Sequence, residues 1–127
     1  MCARGCACAL FNRLDISGNK LTDACMLALS EALRSAPLSQ LNLAHNSFTK
    51  VGVGALAGAL ATSKLTKLEI YACGLKDDSI EVLAPALFKA PLQKLDVKNN
   101  SNLSNSGKSQ LKVAWTQAGK SDLNLTM

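Results

Sequence analysis

Apolar residues return along this chain at a fixed interval. Phe11, Leu14, Ile16 and Leu21 are echoed by Leu38, Leu41, Leu43 and Phe48, then by Leu65, Leu68, Ile70 and Leu75, and last by Leu92, Leu95 and Val97. The units start at residues 11, 38, 65 and 92, a step of 27 residues each time. Inside each unit the alternation has the two-residue period of a strand, which points Leu14 and Ile16, Leu41 and Leu43, Leu68 and Ile70, and Leu95 and Val97 at one core. A helical stretch follows, in which Leu29, Leu56, Leu83 and Leu111 recur. Ala32, Ala59, Ala86 and Ala114 come next, then Leu33, Leu60, Leu87 and Trp115. Spacings of three and four residues gather these into one apolar stripe. A period of this length marks a solenoid, in which each repeat buries its apolar face against its neighbours and the strands stack in parallel.

Polar residues keep the same step. Asn19, Asn46 and Asn100 stand where the chain leaves the strand, and Cys73 takes that place in the third repeat. A side-chain amide there has a donor and an acceptor to offer to backbone groups of the adjacent repeat. Asp23, Asp77 and Asn105 fall near the helix starts, where they are expected to cap the helix or meet its positive end. Pro37 and Pro91 close two helices. Gly52, Gly54 and Gly58 in the second helical stretch, and Pro85 in the third, predict short or kinked segments there. An extra residue between Asn100 and Leu103 moves the next start to Lys120, a polar residue where the stack would continue. Counting 27 back from Leu29, Leu33 and Ala36 gives Cys2, Cys6 and Ala9, so the amino terminus reads as the end of a helix. The organisation is a single domain over 1–127: a partial repeat or N-terminal cap at 1–10, four repeats at 11–119, and a terminal strand at 120–127.

These recurring strand leucines, turn asparagines and helix Leu and Ala positions resemble the ribonuclease-inhibitor-like leucine-rich repeats. The resemblance covers residues 11–126. It implies an α/β leucine-rich repeat solenoid with a parallel concave β-sheet and convex helices, about four repeats plus a terminal strand. It also implies that a partner protein is held on the concave face. Members include inhibitors, sensor receptors and regulators of small GTPases.

Composition narrows the classes. The chain has 127 residues, 48% of them hydrophobic, enough for one sizeable core. The net charge is +5, but the lysines are dispersed and aromatic residues are few, so nucleic acid is not an expected partner. The longest apolar stretch, Val51 to Ala61, is broken by glycines and too short to cross a bilayer, so no transmembrane segment is expected. Five cysteines form no even framework, and Cys25 and Cys73 fall at core positions, which favours a reducing, cytoplasmic location. Cys2, Cys6 and Cys8 lack the Cys-x-x-Cys pair of a zinc site. Cys2 and Cys6 fit the core phase. Cys8 lies off that face and is the better candidate for a reactive thiol, and acylation at this end would make the chain a membrane-associated scaffold.

Function is sought in the strand residues that face away from the core. Between the inner leucines run Asp15, Asn42, Glu69, Asp96 and Asn124. Two residues earlier run Arg13, Gln40, Lys67, Lys94 and Asp122, and two later Ser17, Ala44, Tyr71, Lys98 and Thr126. Neighbours in a column are about 4.8 Å apart. The expected partner-binding patch is Lys67, Glu69, Tyr71, Lys94, Asp96, Lys98 and Asn42, with Tyr71 as its aromatic anchor. A carboxylate pair at Glu69 and Asp96 with His45 as base is the only enzymatic arrangement available, and an open sheet does not exclude water from it. No catalytic residue, cofactor or metal is therefore assigned. The expected function is a non-catalytic protein–protein interaction module. Alternatives are a GTPase regulator using Arg13 or an acylated scaffold, and weak self-association through exposed repeat ends is also expected.

Overall fold

The computed structural model describes residues 12–127. Strands and helices alternate: β1 (Arg13–Asp15), α1 (Asp23–Leu33), β2 (Gln40–Asn42), α2 (Lys50–Leu60), β3 (Lys67–Glu69), α3 (Asp77–Leu83), β4 (Lys94–Asp96), α4 (Asn105–Gln117) and β5 (Leu125–Thr126). Short 3-10 helices cover Ala84–Phe88 and Asp122–Asn124. The strands form one sheet in chain order, parallel throughout. Leu14 lies opposite Leu41, Leu41 opposite Leu68, and Leu68 opposite Leu95, so the 27-residue period of the sequence is the register of the sheet.

The core lies between sheet and helices. Leu41, Leu43, Leu68, Ile70, Leu95 and Val97 enter it from the strands, and Leu56, Leu60, Leu83, Leu87, Leu111 and Trp115 from the helices, all of them buried. The first repeat is more open: Leu14 is 36% exposed, and Leu29 is only half-buried. Cys25, expected in the core, is exposed. It stands where Gly52, Ser79 and Gly107 stand in later repeats, a place covered by the repeat before. The partial repeat at 1–10 and the thiols of Cys2, Cys6 and Cys8 lie outside the described residues.

Each strand ends in a residue-sized problem. Gly18, His45, Ala72 and Asn99, one per repeat, hold positive φ angles of 67°, 58°, 55° and 59°. Only glycine adopts this without steric cost, and asparagine comes next. The residue after the bend then ties two repeats together. Asn46 Oδ1 accepts from the backbone N–H of Asn19 and Leu21 at 3.1 and 2.9 Å, while its Nδ2 donates to the carbonyls of Ile16 and Leu43 at 3.2 and 2.9 Å. Asn100 repeats the arrangement against Cys73, Leu75, Ile70 and Val97. Cys73 makes less of it: its Sγ donates to Leu43 O at 3.2 Å and to Tyr71 O at 3.5 Å. Burial pushes this thiol above its ordinary pKa.

The helix starts differ from expectation in one respect. Asp23, Asp77 and Asn105 are the first helical residues, and the capping side chains are Thr49 and Ser104, which accept from the N–H groups of Val51 and Gly107. Asp23 and Asp77 reach instead into the next repeat. Asp23 accepts from the backbone N–H and hydroxyl of Thr49, and Asp77 from those of Ser104. Each aspartate thus anchors the cap of the following helix. Ser104, by its hydroxyl first and its N–H second, holds the Asp77 carboxyl below the usual carboxylate range. A Cβ on Gly52 or Gly107 would collide with Asp23 or Asp77, so both glycines make room for the anchor.

The second helical stretch does not shorten. α2 runs a full 11 residues despite its three glycines, because tertiary contact outweighs propensity. In the third repeat the expectation holds: α3 stops after seven residues, and the chain passes into a 3-10 helix with Pro85 near its start.

Trp115 is fully buried, and its indole N–H donates to Ser121 O at 2.7 Å. Lys120, at the address of a strand leucine, turns its ammonium back to the carbonyls of Ala90 and Leu92 at 3.0 and 2.7 Å and lies 5.6 Å from the Trp115 ring centre. The terminal strand then pairs out of phase with the count. Leu125 lies opposite Leu95 and Thr126 opposite Asp96, two positions from the expected register, and Leu123 is left 94% exposed. The turn at Asp122–Asn124 takes up the difference.

Three outcomes follow from this architecture. Trp115→Ala should cost about 3–5 kcal/mol in chemical denaturation, the range for truncating a buried aromatic. Ala72→Gly should raise stability by about 0.5–1 kcal/mol, since relief of the left-handed alanine exceeds the entropy glycine adds to the unfolded chain; an unchanged melting curve would mean the bend is not strained. Asp77 is an acid whose folded pKa is depressed, so its contribution is present above the unfolded value of about 3.9 and is lost as pH falls through the lower folded value. Asp77→Asn should therefore be less stable than wild type at pH 7, and the gap between the two should narrow below about pH 4.

Candidate functional site

The open face of the sheet carries three columns of side chains, fixed by the register. Arg13, Gln40, Lys67 and Lys94 form the first, and Asp15, Asn42, Glu69 and Asp96 the second. The third follows the strand ends as Ser17, Ala44, Tyr71 and Lys98. Asn124 and Thr126 join the first and second columns, not the second and third as counted from the sequence, because of the two-residue shift of β5. Asp122 leaves the sheet for the preceding turn.

Opposite charges pair along the strands. Lys67 Nζ meets Glu69 Oε1 at 3.2 Å, and Lys98 Nζ meets Asp96 Oδ2 at 3.4 Å. Both lysines remain substantially exposed, so each pair contributes little to stability and serves mainly to fix side-chain positions. A second device holds the acidic column. Asp15, Asn42 and Asp96 each accept from the N–H two residues on, that of Ser17, Ala44 and Lys98. This is the local bond that a short Asp or Asn side chain makes to its own backbone. Glu69 is one methylene longer, and it pairs with Lys67. The Asp15 carboxyl is drawn below its ordinary value, first by the Ser17 hydroxyl at 2.6 Å and then by the Ser17 N–H.

Tyr71 is gripped from both sides. His45, one repeat earlier, meets its ring edge-on at a centroid distance of 5.3 Å and an angle of 85°. Lys98, one repeat later, places its ammonium 5.0 Å from the ring centre. A T-shaped ring pair and a cation near the ring both suit the aromatic quadrupole. Tyr71 is half-buried, with both of these neighbours against its ring. His45 is engaged with this ring, and among the described residues no hydrogen bond joins it to Glu69 or Asp96, so the histidine–carboxylate arrangement considered from the sequence is not assembled.

A hollow of about 300 Å³ lies beside this cluster. Lys67, Glu69, Lys94 and Asp96 form its floor, and Leu123 and Asn124 its wall. Four of the seven predicted residues thus meet in one concavity, while Asn42, Tyr71 and Lys98 lie outside its lining. Leu123 is the residue that counting missed. Its period assigned it to the core, and only the two-residue slip of β5 turns it outward.

Among the described residues there is no group of three or more His, Cys, Asp or Glu side chains placed to hold a metal ion. No helix there is long and apolar enough to cross a membrane.

Comparison with known proteins agrees with this architecture. A family model described as Leucine Rich repeat matches residues 7–30 and 34–57. No curated protein sequence matches the chain. Among solved structures, Leiomodin-1 Actin-Binding Site 2 superposes with a TM-score of 0.81 at 16% identity, over 91% of this chain and 69% of that one. The tropomodulin C-terminal domain of Caenorhabditis elegans gives a TM-score of 0.51 at 12% identity, over 86% of this chain and 84% of that one. At these identities the likeness speaks for the fold alone. With a five-stranded parallel sheet in chain order, helices alternating with its strands, and a 27-residue register across the first four strands, the chain has the fold of an α/β leucine-rich repeat solenoid.

Proposed function

We propose that this protein is a non-catalytic interaction module that binds a partner protein on the open face of its sheet, around Tyr71. The observation that carries the reading is the posture of Tyr71, an aromatic fixed between His45 and Lys98 on a surface otherwise made of charged columns. A pre-oriented tyrosine offers a large contact area at low entropic cost, and the ordered charges beside it favour one docking direction over others. Lys67, Glu69, Lys94, Asp96, Lys98 and Asn42 supply those charges and amides. Leu123 adds an apolar contact at the rim. The ribonuclease-inhibitor-like subtype is part of this reading, supported by full α-helices in repeats one, two and four. A buried Cys73 thiol held in its neutral form supports a reducing, cytoplasmic setting.

The solved Leiomodin-1 domain is its Actin-Binding Site 2. Actin is accordingly a first probe for this chain, alongside source lysate. Tyr71→Ala should weaken capture of the partner by about 2 kcal/mol or more, roughly thirtyfold, with little change in melting temperature. Lys89→Glu, on the helical side, should leave binding intact. Retention of the partner by Tyr71→Ala together with its loss from Lys89→Glu would move the binding surface to the helices.

A further inference from the structure

The polar ties between repeats are not evenly distributed. At the junction of repeats one and two, Asn46 makes three hydrogen bonds across to Asn19, Leu21 and Ile16, and Asp23 holds the N–H and hydroxyl of Thr49. At the junction of repeats three and four, Asn100 does the same with Cys73, Leu75 and Ile70, and Asp77 holds Ser104. Four residue types make this clamp: an Asp at the helix start, a hydroxyl cap in the next repeat, a Gly three residues after that cap, and an Asn at the turn. The clamp recurs at a step of two repeats.

The central junction has none of the four. By the same spacing Lys50 stands for the Asp, Lys76 for the hydroxyl, Ser79 for the Gly and Cys73 for the Asn. Lys76 makes no side-chain cap to α3, and the one side chain from this set that bonds across is Cys73, through Sγ to Leu43 O. A thiol is a weak donor, and its sulfur, approached by the backbone N–H groups of Asn46 and His45, is a weaker acceptor than an amide oxygen. Two ammonium groups also replace the carboxylate–hydroxyl contact, and a cleft of about 320 Å³ opens there with Lys50 and Lys76 in its lining. The sheet ladder continues through the junction, with Leu43 N donating to Glu69 O at 2.8 Å and His45 N to Tyr71 O at 3.2 Å. The apolar core is continuous as well. Only the polar clamp is missing.

We infer that the solenoid is built of two rigid two-repeat blocks joined at a compliant seam between repeats two and three, and that it opens first along that seam. Opening there exposes the ladder amides of the seam while each block keeps its own clamp. This holds whether or not the sheet face binds a partner.

Residue-resolved amide hydrogen exchange on the whole chain tests it. Leu43 and His45 report the seam, and Ile70 and Ala72, which donate to Asp96 O and Lys98 O, report the clamped junction of repeats three and four. The seam amides should exchange at least tenfold faster, after correction for intrinsic rates, through openings smaller than global unfolding. A repaired chain carrying Lys50→Asp, Cys73→Asn, Lys76→Thr and Ser79→Gly should slow the seam amides tenfold or more and leave Ile70 and Ala72 little changed. Should the fourfold variant not fold, Cys73→Asn alone should shift the seam in the same direction by a smaller factor. Equal exchange at both junctions in the wild type, or equal slowing at both on repair, would overturn the inference.

Discussion

A strand only three residues long gives up its hydrogen-bond ladder inside the protein, and the amide groups released at its end have no water to turn to. Leaving a buried N–H or carbonyl unpaired costs about 1–3 kcal/mol, so each exit needs a partner supplied by the protein itself. Asn46 and Asn100 supply it. One short side chain offers an acceptor to two N–H groups of the repeat before and a donor to carbonyls on both sides. Because that match works only when the bend recurs at the same height, it constrains repeat length, demands a left-handed residue just ahead of it, and keeps the strands in register. The columns on the open face are a by-product of this satisfied turn.

Most of the stack was legible in the sequence because burial and register both follow a short-range period. Leu41, Leu68 and Leu95 had to share a face, and Trp115 had to lie in line with Leu33, Leu60 and Leu87. What escaped the period was whatever depends on contact between repeats. The anchoring role of Asp23 and Asp77 was invisible, since a carboxylate at a helix start ordinarily serves its own helix. Gly52 read as a helix breaker for the same reason: the collision it avoids belongs to a side chain 29 residues earlier. The terminal strand failed differently. A 3-10 turn consumed residues that a fixed step assigned to the strand, and Leu123 changed sides with it.

The residues of the open face followed from the strand phase as far as β4, and their arrangement only partly. Sequence spacing placed acids beside bases, but it did not show that Lys67 and Lys98 pair along their own strands with Glu69 and Asp96. Nor did it show that Tyr71 leans on His45. Those choices arise from side-chain length. Asp96 reaches both its own backbone and Lys98, whereas Glu69 extends to the lysine on its own strand.

The position of Trp115 has an experimental consequence. It is the chain's single tryptophan, sealed beneath the last repeat with its N–H on Ser121 and a lysine over its ring. Its emission therefore watches one end of the molecule. Repeats one and two lie outside its view, so separate melting of that half would leave tryptophan emission almost unchanged while circular dichroism fell. A disagreement between those two spectroscopies would, in this protein, be a map of which half has come apart.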